Sequence, residues 1–248
     1  MSDFDYSGAG IAIRDDLAAA HRDAWRWIAA PGTWWSGPER VAIAAAARRA
    51  PACALCIERK AALSPLAVSG EHDGDAALPA AALDAAHRLV TDASRLSKGW
   101  LEKTLAGGIS DAHYVELLGV VVALQSIDAF HRALGLPPEP LPEPRPGEPR
   151  RERPACAREG MGWFATIAAR DAVGEYGDLY PKAPVVANVM RAMSLVPDNV
   201  RMLKKLSAAQ YVPHEIVAKV SAQTGRALSR AQIELVAGRV SALNECFY

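Results

Sequence analysis

Apolar positions recur at helical spacing along most of the chain, and Gly and Pro punctuate them. Ala-rich stretches of this period run from Asp15 to Ala29, Pro38 to Arg49, Pro51 to Ala62, Ala80 to Ala106 and Asp111 to Leu134. A second series runs near Met161 to Glu175, Ala183 to Leu195, Asp198 to Ala209, Pro213 to Thr224 and Ala231 to Leu243. Helix-start signals agree with the pattern. Ser110 and Asp111 place a capping hydroxyl and a first-turn carboxylate before Tyr114, Leu117, Leu118 and Val121, and Ser229 with Gln232 reads as a capping box. No segment sustains two-residue alternation, and β-branched runs such as Val120-Val121-Val122 lie inside helical patterns, so the predicted fold class is all-α.

The series is interrupted between Leu136 and Pro154, where prolines alternate with Glu and Arg. Such a segment is neither helix nor central strand, and it predicts an extended, semi-rigid connector. The expected organisation is residues 1–135, a linker at 136–154, and a second unit at 155–248.

Charge and composition then narrow the function. Half the residues are apolar, and 28 basic side chains balance 28 acidic ones. A polyanion partner needs a basic surplus on one face, so nucleic acid is set aside. The N-terminus has no signal-like apolar core and no later run reads as a membrane span, which gives the expectation of a cytoplasmic protein with no membrane partner. In a reducing compartment four cysteines do not suggest a disulfide framework, so the close pair Cys53 and Cys56 reads as catalytic or metal-binding.

Pro51 suits a helix start, which places Cys53 and Cys56 in the first turns, where the helix dipole favours thiolate. Arg59 and Lys60 follow one turn later and add positive potential. Two thiols three residues apart can pass through thiolate, sulfenic acid and disulfide, the cycle of peroxide reduction or disulfide exchange. The plainer reading is that both are small buried hydrophobes in an Ala-rich helix. A zinc site needs two more ligands, and Cys156 near the linker is an unconvincing third. His131 is a possible member of the site if its helix follows the redox helix in space, and otherwise a packed side chain. Trp34 and Trp35 either line an apolar pocket or simply pack.

The run Glu234-Leu235-Val236-Ala237-Gly238-Arg239-Val240-Ser241-Ala242-Leu243-Asn244-Glu245-Cys246-Phe247-Tyr248 resembles the signature of the alkylhydroperoxidase D and carboxymuconolactone decarboxylase superfamily. In that family a Cys-x-x-Cys pair ends a similar helix and a histidine follows four residues later. Residues 109–120 and 129–135 are similar to the helix that follows the motif in these proteins. The resemblance covers most of the chain and implies two tandem AhpD-like helical repeats, the second cut within its motif. In the first repeat Glu39 precedes Cys53 by two residues more than Glu234 precedes Cys246, and Lys60 stands where the family has histidine.

The resemblance implies that Cys56 attacks peroxide, Cys53 resolves it and Glu39 passes protons in the first repeat. In the second it implies roles for Glu234 and Cys246. Glu39 reads equally as a first-turn carboxylate. A lysine at position 60 lowers a thiol pKa but does not readily pass protons at neutral pH. The family's next residue after Tyr248 is the attacking cysteine, and a UGA codon there gives the expectation of a selenocysteine and a further helical tail. The implied activity is a thiol-dependent peroxidase or related disulfide oxidoreductase with no bound metal, flavin or haem. Its reductant would be an external dithiol, a lipoyl group or thioredoxin-like protein, and its assembly a homo-oligomer. The alternatives are a carboxymuconolactone decarboxylase-like enzyme, whose relatives generally lack paired cysteines, and a degenerate helical module for assembly or redox sensing.

Overall fold

The computed structural model describes residues 4–73, 77–160, 162–181, 186–217, 219, 221–244 and 246. Its helices are α1 (Asp15–Ala29), α2 (Gly37–Arg49), α3 (Ala54–Ala61), α4 (Ala80–Thr91), α5 (Lys98–Ala106), α6 (Asp111–Ala133), α7 (Asn188–Arg191), α8 (Pro197–Gln210), α9 (His214–Val217) and α10 (Arg230–Leu243). Among the described residues there is no strand, only an isolated antiparallel bridge between Arg158 and Thr166. The fold is all-α.

The main core lies between α1, α2, α4, α5 and α6. Trp25 and Ile28, Ile43, Ala85, Trp100, and Leu117 with Leu124 meet there from those helices in turn. Small residues on α2 and α4 (Ala44, Ala47, Ala82, Ala86) let the helices approach closely, which explains the Ala-rich composition. The central helix, α6, is by length and composition long and apolar enough to cross a membrane, at 23 residues, where the sequence pattern suggested no such run. Its buried face, with Leu117, Val120, Leu124 and Ile127, is the middle of this core.

The proline-rich segment is extended, as its composition predicts, and it is fastened along its length. Trp25 donates to the Pro140 carbonyl at 2.8 Å, Arg145 N to Ala29 O at 2.8 Å and Arg151 N to Thr33 O at 2.7 Å. Beyond it α8 lies against α1 and α6 and adds Met202 and Leu206 to the main core. Packing is therefore continuous across the segment.

Several expected helices differ. The run from Ala80 to Ala106 breaks at the turn Ala93–Arg95, leaving α4 and α5. Of the helix expected near Met161 to Glu175, Met161 lies outside the described residues, and the rest carries short turns at Ala169–Asp171 and Gly174–Tyr176 instead. Tertiary bonds account for the extended backbone before those turns, since Thr166 pairs with Arg158 and Ile167 N donates to Ser194 Oγ at 2.8 Å. Of the stretches at 183–195 and 213–224 only α7 and α9 form helix among the described residues. Both expected caps form, Ser110 on α6 and the Ser229–Gln232 capping box on α10.

Candidate functional site

Cys53 and Cys56 occupy a small apolar cluster of their own with Leu55 and Val68, outside the main core. Pro51 belongs to a tight turn, Ala50–Ala52, rather than opening the helix, so Cys53 becomes the N-cap of α3 and Cys56 its third residue. This geometry brings Cys53 closer to the unpaired N–H groups of the helix start than the sequence pattern indicates. Both thiols are buried, 1% and 3% exposed, and both are free.

Two histidines close over the pair. His72 comes from the loop after α3, and its Nδ1 lies 3.6 Å from Cys53 Sγ and 3.5 Å from Cys56 Sγ. His87 comes from α4, and its Nδ1 lies 3.4 Å from Cys56 Sγ. One turn earlier on the same face of α4, Asp84 meets His72 Nε2 at 2.8 Å. That carboxylate is itself held, by Trp100 Nε1 at 2.8 Å and by Arg59 at 2.6 Å. Because an ionised carboxylate only accepts, His72 Nε2 carries a hydrogen, and its Nδ1 presents a lone pair or a proton to the sulfurs according to charge. Arg95 fixes the far end of α3 by donating to the carbonyls of Arg59 at 2.8 Å and Ala62 at 2.7 Å while paired with Asp92.

The electrostatics separate the two thiols. Burial opposes ionisation of Cys53, but the N–H groups of Cys56 and Asp73 and the His72 side chain outweigh it and hold the thiol below its ordinary pKa. Burial and the neighbouring Cys53 push Cys56 up to about 12. Of the two thiols, Cys53 is therefore the one whose surroundings favour the thiolate. Burial disfavours charge on His72, yet its bonds to Asp84 and Cys53 raise its pKa. Burial also opposes ionisation of Asp84, and the bonds from His72, Trp100 and Arg59 keep it far below the usual carboxylate range. Burial, then the neighbouring charge on His72, lowers His87 to about 4, so its ring is neutral.

The other expected site residues lie elsewhere. Glu39 is the capping-box partner of Ser36, its carboxylate accepting from Ser36 N at 2.8 Å and Ser36 Oγ at 2.7 Å, and it opens the helix whose other end leads to Cys53. Thirteen helical residues put about 20 Å between those ends, so Glu39 acts as the first-turn carboxylate and not as a proton donor to these thiols. Lys60 is exposed, and its carbonyl accepts from Arg95. His131 bonds Tyr6 Oη at 3.2 Å and Pro137 O at 2.8 Å, in a separate aromatic cluster with Phe4 and His21. Trp35 is a core residue that donates to His113 O at 2.8 Å. Glu234 meets Arg230 at 2.6 Å and accepts from Tyr211 Oη, while Cys246 is exposed beyond α10. Phe247 and Tyr248, with the expected continuation, lie outside the described residues.

His72, His87 and Asp84 are the members that sequence reasoning missed. Asp84 and His87 share a helical face, and that spacing was the available signal; His72 sits in a loop with no periodicity to mark it. No known protein family, curated protein or solved structure matches the chain.

Proposed function

We propose that Cys53 and Cys56 form the redox centre of a thiol-dependent oxidoreductase acting on a small hydroperoxide, in a chain that resembles the alkylhydroperoxidase D-like group. The observation that carries this reading is His72 bridging both sulfurs and Asp84. It supplies, from a different place in the chain, the proton-passing histidine that Lys60 cannot replace. The roles implied by the resemblance are exchanged: Cys53, at the helix start, attacks and Cys56 resolves.

In the first step the Cys53 thiolate attacks one peroxide oxygen, the O–O bond breaks, and the leaving alkoxide takes the proton held by His72. This leaves Cys53 sulfenic acid and one molecule of alcohol. Cys56, its proton passing to His72, then attacks the Cys53 sulfur, and hydroxide leaves as water with that proton. An external dithiol, lipoyl or thioredoxin-like, returns two electrons and two protons by exchange. With both sulfurs so little exposed, the substrate class is small.

The test is peroxide consumption by the full chain with a dithiol reductant and a metal chelator present. Cys53→Ser is expected to abolish turnover, Cys56→Ser to trap a dimedone-reactive sulfenic acid at Cys53, and Cys246→Ser to leave turnover intact. Turnover that survives Cys53→Ser, or a parent protein that forms no Cys53–Cys56 disulfide under peroxide, rejects the reading.

A further inference from the structure

We propose that the reduced protein binds one zinc ion between Cys53, Cys56, His72 and His87, a tetrahedral site built from two thiolates and two imidazoles. The four donor atoms lie within 4.8 Å of one another, on side chains that are all buried or half-buried. With zinc–sulfur bonds near 2.3 Å and zinc–nitrogen bonds near 2.0–2.1 Å, the sulfur-to-nitrogen edge of a tetrahedron is roughly 3.5 Å. Three of the four such edges are 3.6, 3.5 and 3.4 Å, and the fourth, Cys53 to His87, lies within 4.8 Å. Each distance alone also suits a thiol hydrogen-bonded to an imidazole; what points to a metal is the convergence of all four donors on one buried spot.

The outer contact of His72 matches as well. A metal-bound imidazole typically donates its second N–H to a carboxylate, which fixes the ring's tautomer and strengthens the ligand. His72 does this toward Asp84, and Trp100 and Arg59 hold that carboxylate in place. Its Nδ1 is thereby aimed at the two sulfurs. The ligands come from the start of one helix, a loop and the middle of a second helix. A linear search for zinc motifs therefore sees only the first two.

Two thiolates and two neutral imidazoles balance a divalent ion, and four protein ligands close the coordination sphere, as in retained rather than open sites. This inference goes beyond the redox reading and does not depend on it. Zinc and a Cys53–Cys56 disulfide claim the same sulfurs, so the protein holds one or the other.

Cobalt(II) titration of the reduced, metal-stripped full chain tests the site. The expected result is one ion per chain, giving thiolate-to-cobalt charge transfer and the intense visible bands of tetrahedral cobalt, all displaced by one equivalent of zinc. His87→Ala should weaken binding and shift the visible bands as water takes the fourth position, and Asp84→Asn should weaken binding about 10–100-fold while leaving the spectrum tetrahedral. Circular dichroism of each variant separates lost ligation from lost fold. Should a variant unfold, cobalt binding by the peroxide-oxidised parent is measured instead, and none is expected. No binding, an octahedral spectrum, or tetrahedral binding unchanged in folded His87→Ala or in the disulfide form overturns the proposal. A null cobalt result leaves the chelator-treated peroxidase assay untouched, so the two readings fail separately.

Discussion

His72 Nε2 and Asp84 Oδ1 stand 2.8 Å apart, and that one bond orients an imidazole against two sulfurs contributed by another helix. Replacing Asp84 by Asn removes the charge that stabilises a protonated His72 and frees the ring to turn over. The rate of Cys53 alkylation at neutral pH, measured with chelator present, is expected to fall about 10-fold or more, in line with losing an acid–base partner. An unchanged alkylation rate would mean that the helix N-terminus alone sets the reactivity of Cys53.

Much of the scaffold was legible because period and caps agreed with each other. Asp111 to Ala133 carries a capping serine, an acidic first turn and a continuous apolar stripe, and it forms as one helix. Residues 161–175 also carry apolar side chains at helical spacing, but Thr166 and Ile167 spend their backbone groups on Arg158 and Ser194, which periodicity does not report. The cysteine pair was visible as a pair. Its partners were not, since His72 and His87 lie 16 and 31 residues from Cys56 and only the docking of α4 beside α3 brings them together. Glu39 shows the opposite error, where a carboxylate at a family-like spacing is fully engaged in capping its own helix.

Arg40 and Glu116 form a buried ion pair with Nε and Oε1 3.6 Å apart and each side chain 1% exposed. Glu116 also accepts from Trp34 N at 2.6 Å, and Arg40 stacks on Trp27 at 3.9 Å. Glu116→Ala leaves a desolvated guanidinium with, among the described residues, only the Ala30 carbonyl as hydrogen-bond acceptor. The expected loss is about 3–5 kcal/mol, a melting temperature lower by roughly 10 °C for a chain of this size. Circular dichroism melts measure it, and a change under about 1 kcal/mol would show that water reaches Arg40.

Gly119 marks where α8 docks on α6. A Cβ there would sit 2.3 Å from Asn199 Nδ2, and Asn199 donates to Val115 O at 2.6 Å. Gly119→Ala therefore pushes Asn199 off its bond and α8 off the core, despite the better helix propensity of alanine. The expected cost is about 2–3 kcal/mol, appearing as faster proteolysis beyond the proline-rich segment before the α1–α6 bundle melts. If Gly119→Ala instead stabilises the chain, the contact of α8 with α6 contributes little.

His21 is fully buried between Tyr6 and Gln210, and burial together with the nearby His131 lowers its pKa from 6.5 to about 4. The folded protein therefore keeps this ring neutral while the unfolded chain protonates it. Its contribution is complete above pH 6.5, is lost as pH falls from there toward about 4, and levels off below. The full loss is about 3 kcal/mol. Urea midpoints measured between neutrality and the onset of carboxylate titration should fall with pH, and His21→Asn should flatten that slope by about one proton's worth. His87 and His113 are lowered in the same sense, so the variant retains part of the slope. A slope identical to the parent's would mean that His21 takes up its proton inside the folded protein, with Tyr6 or Gln210 turning to receive it.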